Sequence, residues 1–157
     1  MAADVGRPAP DFTLAGSDST EHGRRDYSLS DYRGQVVVVV FYPGDNTPVC
    51  TRQLNAYTED IESFTDAGAQ VLAISPQSVV SHDEFSCKQG GFGFPLLADA
   101  EKVVGETYGI LGPLGFYRRS AFVVDAEGIV RYAHRAVAGL TFRSTKELVA
   151  AVNAATA

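Results

Sequence analysis

The chain is 157 residues long, 45% hydrophobic and 20% charged, with a formal net charge of −6. That length predicts one domain over residues 1–157, with a core large enough to need no disulfide staples. The acidic and dispersed charge disfavours a nucleic-acid surface, and the longest apolar run, Val36 to Tyr42, is too short to span a membrane.

Met1 to Pro10 lacks the apolar core of a secretory signal, so a cytoplasmic protein is expected. Two cysteines in that compartment read as free, buried or redox-active rather than structural. His22, His82 and His134 are scattered without metal-ligand spacing, and each reads as a surface or loop residue. No phosphate loop, dinucleotide fingerprint or metal cluster is present, so neither a cofactor nor a metal is expected.

Pro8 to Leu14 is extended by its prolines, with Phe12 and Leu14 facing inward. Gly16 to Asp26 is polar and glycine-bearing, as in a turn or hairpin, and Ser28 to Gly34 reads as a brief helical turn or loop leading into the central strand. Val36 to Val40, followed by Phe41 and Tyr42, is the pattern of a strand buried on both faces. Pro43 to Asn46 ends that strand in a loop. Thr47 and Pro48 then start a helix, threonine as N-cap and proline at the first helical position. Leu54, Tyr57, Ile61 and Phe64 recur at helical spacing up to the stop at Gly68, which predicts one helix from Pro48 to about Ala67.

Gln70 to Ser75 is a second buried strand, and Ser78 to Gln89 a second helix ended by Gly90 and Gly91. Phe94 to Asp99 is extended, Glu101 to Tyr108 a short helix, and Ile110 to Tyr117 a loop rich in glycine and proline. Ser120 to Asp125 and Ile129 to Ala133 flank Ala126 to Gly128 as a hairpin, and a helix from Ser144 to about Ala154 closes the chain. Strand–helix–strand units impose parallel, right-handed crossovers. With the late hairpin and terminal helix they predict a thioredoxin-like α/β fold, a mixed central sheet with helices on both faces.

Cys50 falls in the first turn of the helix that follows the central strand, and α/β sheets bind ligands at such strand ends. A thiol with a pKa of about 8.5 drops to roughly 3.5–7.5 at helix N-termini or beside cations. The unpaired N–H groups there also favour negative charge. Pro48 and the loop around it argue against a buried structural cysteine. Thr47 stands where a Cys-x-x-Cys exchanger has its first cysteine, so the turn cannot cycle as a dithiol. A lone thiolate beside a hydroxyl remains.

The pattern Pro43-x-x-x-Thr47-x-x-Cys50 resembles the active-site signature of peroxiredoxins, the AhpC/TSA superfamily. Val5 to Phe12 looks like that family's opening, and Arg119 to Asp125 like its late strand with the active-site arginine. The resemblance implies a thioredoxin-dependent peroxidase. Cys50 would attack hydrogen peroxide or an organic hydroperoxide and become a sulfenic acid. By the same match Thr47 bonds thiolate and peroxide, Arg119 stabilises thiolate and developing charge, and Pro43 shields the pocket from water. The spacing to Phe122 to Asp125 favours Arg119 over Arg118. Gln53 reads equally as an orienting residue or an exposed helix residue.

In length and in lacking a C-terminal resolving arm, the chain resembles the bacterioferritin comigratory (Q) subfamily. Some members carry a resolving cysteine on the helix that here bears Cys87, and some place it one residue earlier, at Ser86 of this chain. Those that place it five residues after the peroxidatic cysteine have no counterpart here, because that position is Asn55. Cys87 as resolver implies an intramolecular disulfide and local unwinding of both helices, since the Cα atoms must come within about 7 Å. The alternatives are a one-cysteine peroxidase with Cys87 packed as a small hydrophobe, and a redox sensor or holdase that reacts without turnover. A thioredoxin-like reductant and a monomer or homodimer are implied. A glutathione-peroxidase-like reading is disfavoured by the absence of tryptophan.

Overall fold

The computed structural model describes residues 3–18, 23–136 and 142–156. In chain order it contains β1 (Thr13–Ser17), β2 (Arg25–Ser28), a 3-10 turn (Leu29–Tyr32) and β3 (Val36–Phe41). There follow α1 (Pro48–Glu59), α2 (Ile61–Asp66), β4 (Ala69–Ser75), α3 (Val79–Lys88), β5 (Leu96–Ala98) and α4 (Val103–Thr107). A second 3-10 turn (Pro113–Gly115), β6 (Ser120–Val124), β7 (Val130–Arg135) and α5 (Thr145–Thr156) complete it.

The β-branched run of β3 makes it the middle of the sheet, whose order is β2-β1-β5-β4-β3-β6-β7. β3, β4 and β5 are parallel neighbours, and β6 and β7 return antiparallel. Side chains alternate across a strand, so β3 divides its residues between two cores. Val36, Val38, Val40 and Tyr42 pack with Leu54, Tyr57, Phe64, Phe85, Leu148 and Val152 of the helices on one face. Val37, Val39 and Phe41 pack with Phe12, Leu29, Val104 and Tyr108 on the other. The mixed sheet with helices on both faces is the thioredoxin-like arrangement expected from the sequence. Among the described residues no helix is long and apolar enough to cross a membrane.

One local expectation is corrected. The single helix predicted from Pro48 to Ala67 is two, because Asp60 leaves helical geometry (φ −102°, ψ 18°) and its carbonyl accepts from Ser63 instead of continuing the ladder. The break turns Ile61 onto Gly93, where an added Cβ would lie 3.0 Å from the isoleucine side chain. The stretch from Gly16 to Asp26, expected as a turn or hairpin, carries the facing ends of two strands, Gly16 and Ser17 in β1 and Arg25 and Asp26 in β2. The two strands pair antiparallel, as a hairpin requires. His22 lies outside the described residues.

One packing detail holds the chain just ahead of β6. Asp99 accepts the backbone N–H groups of Val104 (3.2 Å) and Gly105 (2.9 Å) and the Tyr117 hydroxyl. Burial, and then that bond, push the Tyr117 hydroxyl far up from its ordinary pKa, so it stays a donor. A Cβ on Gly105 would sit 2.7 Å from the pinned tyrosine ring. Helix propensity alone favours alanine over glycine by about 1 kcal/mol, whereas overpacking costs about 1–3 kcal/mol. Gly105→Ala is therefore expected to destabilise the protein by up to about 2 kcal/mol in urea unfolding. A gain in stability would show that the Tyr117 ring yields freely.

Candidate active site

The site forms where β3 ends. Tyr42 extends the sheet by one bond, its N–H donating to Ile74 O at 3.0 Å. The loop then turns through Asn46 in the left-handed region (φ 62°), a conformation that asparagine tolerates better than most residues. Thr47 occupies the N-cap in extended geometry, yet its hydroxyl makes no cap bond. It donates instead to Gly44 O at 3.0 Å. Pro48 fills the first helical position, and Cys50 follows in the first turn.

Cys50 is 0% exposed, contrary to the accessible thiol expected from the loop. The loop is exposed, but Cys50 begins the buried stripe of α1 that continues through Gln53, Leu54 and Tyr57. Those spacings place all four on one helix face.

Strand register brings the second component. Phe41 pairs with Ser120, so Arg119 enters at the same end of the sheet as the β3 loop. Its Nη1 donates to Cys50 Sγ at 3.1 Å and to Gln53 Oε1 at 2.6 Å. Arg119 is 4% exposed and Gln53 1% exposed. Arg118 turns the other way, with Nε on Ala136 O at 2.9 Å.

The hydrogen bonds continue past Gln53. Its Nε2 donates to Tyr57 Oη at 3.3 Å, and Tyr57 donates to Arg143 O at 2.7 Å. Burial raises the Tyr57 pKa to about 12 against the opposing Gln53 bond and Arg119 charge. The phenol therefore keeps its proton at neutral pH and holds the chain of bonds in one direction. Gln53 is an interior residue that fixes Arg119, which settles its two sequence readings. Tyr57 was read only as core; its spacing of seven residues from Cys50 carried the signal.

Cys87 lies on the exposed side of α3, and both cysteines are free thiols. Ser86 is buried, its hydroxyl accepting from Phe92 N at 3.2 Å. Cys87 is thus not packed as a core hydrophobe. Pro43 is half-buried at the start of the loop, and Thr47 is exposed. His82 is not a surface residue: it is 1% exposed, beneath the same loop. Among the described residues no group of three or more His, Cys, Asp or Glu side chains forms a metal cluster.

A guanidinium beside a buried sulfur acts in a medium where charge interactions are far stronger than in water. Cys50 accordingly sits where negative charge on sulfur is supported by Arg119 and by the first turn of α1. The turn presents one such cysteine and no second, so it cannot cycle as a dithiol within itself.

The AhpC/TSA family profile matches residues 5–133. Rat peroxiredoxin-2 is 39% identical over 136 residues, covering 82% of this chain and 68% of its own. Chloroplastic peroxiredoxin Q of rice is 39% identical over 131 residues, covering 82% of this chain and 58% of its own. The structure of Mycobacterium tuberculosis AhpC superposes with a TM-score of 0.88 at 22% identity, covering all of this chain and 95% of that one, a likeness of fold alone. The chain belongs to the AhpC/TSA family and is a thiol-dependent peroxidase.

Proposed function

We propose that Cys50 is the peroxidatic residue and that the cycle is completed by Cys87. The Cys50 thiolate attacks one peroxide oxygen, the O–O bond breaks, and the other oxygen leaves as water or alcohol after taking a proton. Cys50 becomes a sulfenic acid. The observation that carries this reading is the 3.1 Å bond from Arg119 to Cys50 Sγ. Arg119 supports charge on sulfur at the start and on the departing oxygen at the transition state. Thr47 has committed its proton to Gly44 O, so its oxygen is left to accept the peroxide O–H. Pro43, at the rim of the loop, shields the pocket from water.

In the second step the Cys87 thiolate attacks the Cys50 sulfenic acid, expelling water and forming the disulfide. One sulfur is buried and the other exposed, so the first turn of α1, part of α3, or both must unwind. The ready end is α3, where Gly90 and Gly91 both adopt positive φ and follow a helix with an exposed face. A dithiol reductant of the thioredoxin type then reduces the disulfide by exchange. We read residues 1–157 as a single unit, working in the cytoplasm as a monomer or homodimer on hydrogen peroxide and small organic hydroperoxides.

Intact mass under non-reducing conditions, before and after one equivalent of hydrogen peroxide, tests the cycle. Loss of two hydrogens with no alkylatable thiol left in the monomer is the expected result. Gain of oxygen with Cys87 still alkylatable would remove Cys87 from the cycle and leave a one-cysteine peroxidase.

A further inference from the structure

Directly under the active-site loop lies a second buried polar cluster that the peroxidase chemistry leaves unused. Asp45 is the residue between Gly44, which orients Thr47, and Asn46, which makes the left-handed turn. Its backbone reaches solvent, but its side chain is 1% exposed, and that of His82 is 0% exposed. Asp45 Oδ1 accepts the Tyr42 hydroxyl at 2.7 Å. Its Oδ2 accepts the Ser81 hydroxyl at 2.7 Å and meets His82 Nδ1 at 2.7 Å. The Asp45 N–H is held as well, by Gln77 Oε1 at 2.9 Å.

The other imidazole nitrogen, Nε2, lies 2.9 Å from Leu97 O, a group that can only accept. Tyr42 Oη is 3.4 Å from Nδ1 and already donates to Asp45. Burial works to raise the Asp45 carboxyl, yet the bonds from His82, Ser81 and Tyr42 together with the histidine charge hold it below the ordinary carboxylate range. Asp45 Oδ2 on one side and the Leu97 carbonyl on the other hold the ring between two acceptors, in a buried pair that joins the β3 loop, the first turn of α3 and β5.

We propose that His82 is a positioning residue for the peroxidatic site, acting through its Nδ1–H bond to Asp45. A buried ion pair gives a fold little net stability, because desolvation of the two charges offsets their attraction. What this pair does fix is place. Asp45 is anchored at both its amide and its carboxylate, so the Gly44 carbonyl cannot rotate, and the Thr47 hydroxyl that donates to it keeps its direction over the first turn of α1. The bond from Nε2 to Leu97 O has a different task, since it anchors α3 to β5. The two halves of one imidazole thus serve different ends, and that division is testable.

Asparagine at position 82 reproduces the Nδ1 donor, and glutamine reproduces the Nε2 donor. The rate constant for Cys50 oxidation is read by competition with a haem peroxidase for limiting hydrogen peroxide, which reports the first step whatever Cys87 does. His82→Gln is expected to slow that step about tenfold, in line with the cost of misplacing a positioning group by a fraction of an ångström. His82→Asn keeps the bond to Asp45 and is expected to stay within about threefold of wild type. Both variants lose the ring and one of its two bonds and are expected to melt at lower temperature, so stability does not separate them. Equal slowing of the two, or no slowing of either, overturns the proposal.

A second pair in the loop asks the same question if position 82 does not tolerate exchange. Asp45→Asn can keep the bond by donating to a neutral imidazole, whereas Asp45→Leu cannot. Oxidation within about threefold for the first and about tenfold slower for the second is expected. Indistinguishable rates for the two would overturn the proposal.

Discussion

Cys50→Ser is expected to bring peroxide consumption down to the protein-free rate while leaving the fold standing. The exchange removes the only atom in the site able to accept an oxygen and become a sulfenic acid. A serine hydroxyl in its place keeps its proton at neutral pH, and among the described residues no general base bonds to it: Arg119 Nη1 is a donor, and the bond from Arg119 to Gln53 Oε1 is independent of the sulfur. That 2.6 Å bond, the Gln53–Tyr57 bond and the Tyr57–Arg143 bond all persist in the variant, so the buried guanidinium keeps a partner. The melting temperature should consequently move by only a few degrees, about the effect of 1 kcal/mol in a domain of this size. Peroxide consumption with excess dithiol, read beside thermal unfolding, checks both halves. Residual turnover above background would move the peroxidatic role elsewhere, and Cys87 is the sulfur to which it would have to move.

The sheet and the reactive turn were legible in the sequence for the same reason: local chemistry dictates both. Five consecutive valines admit little but a buried strand, and Thr47-Pro48 admits little but a helix start. Burial and partnership were less legible, because they depend on register between distant segments. The loop around Pro48 suggested an open thiol, but the direction of the Cys50 side chain is set by the α1 stripe it begins, and that stripe packs on β3 and β4. His82 looked like one of three scattered histidines. Only the placement of α3 across the end of the β3 loop shows that its ring meets Asp45, 37 positions earlier in the chain. The break at Asp60 was hidden by a continuous apolar spacing, since Leu54, Tyr57, Ile61 and Phe64 satisfy one long helix as well as two short ones. Gln53 could have been favoured over its surface reading: three residues after Cys50, it must share whichever face the cysteine uses.

Arg119→Met is the second substitution with a large expected effect, and it separates electrostatics from packing. Methionine fills much of the same volume without charge or donor, so β6 and α1 keep their spacing. What is lost is the donor at 3.1 Å from sulfur and, with it, support for charge on the oxygen that leaves. Removing one preorganised donor of this kind costs about 10²–10³ in rate, and a comparable fall in the Cys50 oxidation rate constant is expected. Alkylation of Cys50 at neutral pH should slow as well, because a neutral neighbour no longer favours charge on sulfur. Arg119→Lys should not restore the rate. Both bonds leave one guanidinium nitrogen, Nη1, and a lysine ammonium on its flexible stem is a point charge not preorganised to meet Sγ and Gln53 Oε1 together, whereas the chain from Gln53 through Tyr57 to Arg143 O holds Nη1 in place. Competition kinetics on both variants give the answer. Oxidation of the methionine variant within about threefold of wild type would place charge stabilisation in the backbone of the first turn of α1 instead, with Arg119 reduced to a buried support for Gln53.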